Sequence, residues 1–142
     1  MTQQTPADEL REAAEKLRSL ITFLGDNRGP WEVDTPPSGY PQSINNVGVP
    51  YLVANTYEGP GIPAFTIAPY IATMHPGVGA ALAKLLRDTH AFHEHDDRPD
   101  HGGCDWCGDE DWPCSDVRNA LAVARAVLGR PAVPAASEET GR

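Results

Sequence analysis

The sequence predicts an α+β fold: three main helices, a small antiparallel β-sheet, and a C-terminal segment braced by metal. Three observations carry this expectation. Apolar residues recur at helical spacing in three separate stretches. β-favouring residues gather between the first two of them, separated by turn formers. All three cysteines of the 142-residue chain fall within eleven residues, from Cys104 to Cys114.

The first helix is expected from Pro6 to Leu24. Thr5 can cap it, Pro6 suits the first turn, and Asp8 and Glu9 complement the positive end of the helix dipole. Leu10, Ala13, Ala14, Leu17, Leu20, Ile21 and Leu24 form its apolar stripe, and Gly25 ends it. In the next stretch "GPWEV" (29–33) and "VPYLVANTY" (49–57) read as strands. The intervening "DTPPSGYPQSINN" reads as a loop, because Pro, Gly, Ser and Asn favour turns. A sheet of two or three strands results, and so small a sheet must lean on helices to be stable.

A short helix is expected at 68–74. His75 then stands where an N-cap belongs, and Pro76 opens the second main helix, which runs to Ala91 with Val78, Ala81, Leu82, Leu85 and Leu86 inward. The last helix is expected from Asp116 to Leu128, capped by Ser115, with Val117, Ala120, Leu121, Ala124, Val127 and Leu128 on its apolar face. Gly129 and Pro131 stop it. The chain thus reads as one α+β domain over 1–129, followed by a tail at 130–142 with nothing to bury and expected to be disordered.

Cys104 and Cys107 have the Cys-x2-Cys spacing, which aims two thiolates at one ion from a tight turn. Cys114 follows just before a helix, whose dipole favours a thiolate. Three thiolates leave one tetrahedral position. His101 is the nearest candidate for it, with His95, His93 and His90 in reserve. The segment 93–116 therefore reads as a zinc knuckle. Asp, Gly and Trp around the cysteines make a buried apolar role unsuitable, and a disulfide would leave one thiol over. Zinc-enzyme patterns fail residue by residue. His-Glu-x-x-His would need histidine at Asp97; Pro-Cys-x-x-Cys, satisfied at Pro113 and Cys114, would need cysteine at Val117. A His-Asn-His nuclease built on His101 and Asn119 would lack a basic groove. The zinc is expected to be structural.

The formal net charge is −9, with 11 basic residues scattered along the chain. Duplex nucleic acid is therefore not an expected partner, since its affinity rests on clustered Lys and Arg. No run approaches a membrane span, and the polar N-terminal stretch does not resemble a signal peptide. A cytoplasmic location is expected, where thiols stay reduced unless a metal holds them.

"LREAAEKLRSL", "GPWEV", "YIATMHPGVGAALAKLL" and "CDWCGDEDWPCSDVRNALAVARAVLG" resemble a group of small proteins from actinobacteria and their tailed phages. That group is similar in turn to the early-region accessory proteins of lambdoid phages. The resemblance implies a phage or prophage accessory protein acting in the host cytoplasm and binding a host protein or a small signalling molecule. It supplies no catalytic residue. A small ligand could use Tyr40, Asn45, Asn46, Tyr51, Asn55 and Tyr57; a zinc hydrolase is a third reading. The long stripe on the first helix predicts a homodimer whose interface includes Leu17, Ile21 and Leu24.

Overall fold

The computed structural model describes residues 4–48, 52–57, 65–95, 103–108 and 111–131. The chain divides into two compact units, one formed by 17–82 and the other by 1–16 together with 83–142. The sequence is α+β, as expected: α1 (Pro6–Phe23), β1 (Trp31–Asp34), β2 (Gln42–Asn46), β3 (Leu52–Thr56), α2 (Ile67–Thr73), α3 (Pro76–Phe92) and α4 (Ser115–Leu128).

The unit of residues 17–82 holds the sheet, an antiparallel meander in the order β1-β2-β3. Trp31 pairs with Asn46 and Val33 with Ile44. Ile44 pairs in turn with Ala54, and the register shifts at Ile44/Asn45. β2 runs through the stretch expected to be a loop, and it is the central strand. Its residues are poor strand formers, with one aliphatic side chain in QSINN. Tertiary partners override that propensity. Ile44 is fully buried with Ala68 and Ala72 of α2, and Trp31, Val33, Val53, Ala54 and Ile71 pack around them. The buried amides flanking Ile44 are tied to neighbouring segments. Asn46 Nδ2 donates to Asp26 O at 3.2 Å and Asn27 Oδ1 at 3.1 Å, and Gln42 Nε2 donates to Thr35 Oγ1 at 2.7 Å.

His75 caps α3. Its Nδ1 accepts from the Gly77 amide at 3.0 Å, and its carbonyl accepts from Val78 at 2.9 Å. A Cβ at Gly77 would lie 2.5 Å from the His75 ring, so this cap requires glycine there. At Gly79 an added Cβ would meet Ile21 at 3.4 Å, so α1 and α3 approach closely at that point. Leu17 and Ile21 are accordingly half-buried. Leu20, Phe23 and Leu24 are exposed.

In the other unit, Thr5 and Asp8 make the reciprocal bonds of a capping box: Asp8 N donates to Thr5 Oγ1 at 3.2 Å and Thr5 N to Asp8 Oδ2 at 3.3 Å. Leu10, Ala13 and Ala14 of α1 are buried, as are Val117, Ala120, Leu121 and Ala124 of α4. Arg125 donates from Nε and Nη2 to the two oxygens of Glu9, each at 2.9 Å. Arg130 reaches Glu12, and Lys16 Nζ donates to Val127 O. The buried face of α3 differs from the expected stripe. Ala83, Leu86 and Thr89 are buried, whereas Leu85 is half exposed and Ala81 is exposed. Thr89 is the reason: counting apolar residues alone omits a hydroxyl residue that lies on the inward face. Residues 132–142 of the expected tail lie outside the described residues.

Candidate metal centre

α3 ends at Phe92, and the next residue stays on its trajectory, with His93 N donating to Thr89 O at 3.0 Å. His93 lies seven residues after Leu86, two helical turns along the buried face. The chain then turns extended. Asp105 N donates to Glu94 O at 3.1 Å, and His95 and Cys104 form an antiparallel bridge. This pairing sets Cys104 beside His93. Immediately afterwards the chain folds into a knuckle. Gly108 N donates to Cys104 O at 3.1 Å, and Gly108 has φ +71°, a conformation that favours glycine.

The Cys104 thiol shows what the knuckle does. Burial pushes it up, but hydrogen bonds from the backbone N–H groups of Cys107 and Trp106 outweigh that effect. With side-chain bonds to Cys107 and His93 they bring it down to about 6. The loop thus prefers the thiolate, which is the form that binds metal. Cys114 enters from the far side. It is the N-cap of α4, one residue earlier than the expected cap at Ser115, with an extended backbone at φ −64° and ψ 169°. Its carbonyl accepts the first helical bond from Arg118. Its side chain makes no cap bond and is turned to His93 instead.

The donor atoms of His93, Cys104, Cys107 and Cys114 all lie within 4.8 Å of one another. His93 Nδ1 is 3.4 Å from Cys104 Sγ and 3.4 Å from Cys114 Sγ. A tetrahedral ion with bonds of about 2.3 Å to sulfur and 2.05 Å to nitrogen has N···S edges of about 3.6 Å. Both His93 edges are within about 0.2 Å of that figure. These four residues are therefore placed to bind a metal ion. Cys104 and Cys114 are buried and His93 is mostly covered, while Cys107 is exposed. Behind the site, His93 Nε2 faces Asp116 Oδ2 at 3.7 Å. That is longer than a hydrogen bond, but it puts a carboxylate on the side of the imidazole away from the sulfurs.

All three predicted cysteines are brought together. The histidine is His93, named beforehand only in reserve. His101, the first candidate, lies outside the described residues. The signal for His93 was the helical register itself, visible once Thr89 is counted with Leu86. The described residues considered for a small ligand are divided between the two faces of the sheet and the segments around it. Asn46 is on the buried face of β2, while Asn45 and Ser43 are on the opposite one, where Ser43 Oγ donates to Asn55 Oδ1. Tyr40 stacks on Phe65 with ring centres 5.0 Å apart, Tyr57 is exposed, and Tyr51 lies outside the described residues.

Fold and site together define an α+β protein in which three cysteines and one histidine are placed to bind a metal ion. No family model, curated protein or solved structure matches the chain. Among the described residues, no helix is long and apolar enough to cross a membrane.

Proposed function

We propose that this is a non-enzymatic binding protein whose Cys104, Cys107, Cys114 and His93 hold a structural zinc. The observation that carries the reading is the complete donor set. Four protein donor atoms within 4.8 Å of one another are enough to fill the coordination shell of zinc, whereas a catalytic zinc keeps a position for water or substrate. The donor chemistry supports zinc over other metals, since thiolates with one imidazole are poor ligands for calcium or magnesium. The physical role follows from position. The ion joins the end of α3 to the start of α4 across a segment with almost no aliphatic side chains, whose ordering little else would offset.

The biological reading is an accessory protein of phage or prophage origin, working in the host cytoplasm by binding a host protein. It is supported by the sequence resemblance and by a reducing compartment's need for a metal to occupy such thiols. Homodimer formation belongs to the same proposal, supported by Leu20, Phe23 and Leu24 on the outer surface of α1. The test is metal analysis of protein purified without chelator, followed by cobalt substitution. One zinc per chain and a tetrahedral, thiolate-rich cobalt spectrum are expected. Protein without metal, with three freely reactive thiols, would overturn the zinc reading. Bound zinc carrying an exchangeable water would reopen the hydrolase.

A further inference from the structure

The metal centre carries an aromatic pair on its outer surface. Phe92, the last residue of α3, and Trp106, between the two knuckle cysteines, stand with ring centres 5.4 Å apart at 46°. Both are more than half exposed, Phe92 at 55% and Trp106 at 68%. Burying them elsewhere is prevented by their attachment: one ends a helix and the other sits in a turn pinned by sulfur ligands on both sides. Large aromatic faces held open to water mark interaction surfaces, because hiding them gives more than hiding any other side chain.

Charge chooses the occupant. The segment 93–116 contains nine carboxylates and one arginine, which accounts for a formal −8 of the chain's −9. Asp105 precedes Trp106 and Glu94 lies two residues after Phe92, on segments linked by the Asp105 N to Glu94 O bond. Both are exposed. A zinc with three thiolates and a neutral imidazole adds one further negative charge. A cation that stacks on a ring and pairs with a carboxylate meets all of these features, and arginine does both where lysine, a compact ammonium, does not stack.

We propose that Phe92 and Trp106 form a docking platform for an arginine-bearing segment of a partner protein. This rests on the zinc reading only in that the ion holds the Trp106 turn. The guanidinium lies over the Trp106 face, and Glu94 or Asp105 receives its N–H groups.

The experiment titrates the full-length protein, with zinc content measured on each sample, against oligoarginine, oligolysine and oligoglutamate peptides. Calorimetry and tryptophan fluorescence are the readouts. Oligoarginine should bind most tightly, and oligoglutamate should not bind. Trp106→Ala should weaken oligoarginine about fivefold with zinc retained, and Trp106→Phe should restore most of the affinity. Trp106→Ala within twofold of the parent, or oligolysine equal to oligoarginine, would overturn the proposal, as would no binding at all. Protein that lacks zinc yet binds through Trp106 would overturn the metal reading and support the platform. Zinc-loaded protein indifferent to Trp106 would overturn the platform alone.

Discussion

Replacing His93 by glutamine removes the one nitrogen donor that the described residues give the proposed zinc centre while keeping a side chain of similar length. His93 is one of four donors, and its Nδ1 lies on three of the six edges of the donor tetrahedron, two of them 3.4 Å long. Structural zinc sites of this kind bind with about 12 kcal/mol, so an equal share for each donor is about 3 kcal/mol. That corresponds to roughly 100-fold weaker zinc binding, since each factor of ten is about 1.4 kcal/mol. Competition against a chromophoric chelator measures it directly. His101→Gln, made in parallel, should bind zinc like the parent. Hydrogen exchange should rise in 93–95 and 103–108, where the Asp105–Glu94 and Gly108–Cys104 bonds depend on the closed knuckle. Parental affinity in His93→Gln with loss in His101→Gln would refute the ligand assignment. Parental affinity in both would make the site a three-thiolate one.

Asp116→Asn should weaken zinc binding by up to about tenfold, the lower end for a group behind a ligand, because the carboxylate is largely exposed and 3.7 Å away; the same chelator competition reads it. Glu9→Ala should destabilise the protein by ~2 kcal/mol in urea melts, since it strips a two-bond partner from Arg125 at a site only partly open to water. Asn46→Ala should cost ~1–2 kcal/mol by the same measurement, through loss of the bonds to Asp26 and Asn27. Phe23→Glu should convert a dimer to a monomer in sedimentation at tens of micromolar, and a parent that sediments as a monomer would dismiss the dimer.

The helices were legible because their signals are local. Thr5, Pro6 and Asp8 open α1, and Pro76 and Gly129 bound α3 and α4, through chemistry confined to one turn. Likewise the Cys-x2-Cys spacing, set among glycines and acids with a third cysteine close by, pointed to a metal site through chemistry confined to a short segment. β2 was not legible, because its evidence is tertiary. Gln42 and Asn46 read as turn residues until their amides are seen bonded to Thr35, Asp26 and Asn27, and Ile44 is seen under Ala68 and Ala72. The histidine of the donor set sits between these cases: His101, favoured by nearness in sequence, lies outside the described residues, and His93 is reached by a helical face that continues past the helix end. The exposed end of α1 was half legible: the stripe was there, but which of its residues Gly79 admits was a matter of packing.

The Glu9–Arg125 pair joins residues 116 positions apart, and the whole of 17–82 forms a unit of its own inside that interval. During synthesis the first half of α1 therefore leaves the ribosome early and waits. Leu10, Ala13 and Ala14 have no α4 to meet until more than a hundred further residues have been added, some seconds at ordinary elongation rates. The sheet unit can close in that time, and the set of donors placed to bind a metal ion becomes complete only when Cys114 emerges. A helix that is first in the sequence is thus among the last to be buried, and its apolar face is what a chaperone would encounter on the growing chain. Stalled chains ending before and after 125 should differ in protease cleavage within 8–16, with protection confined to the longer ones.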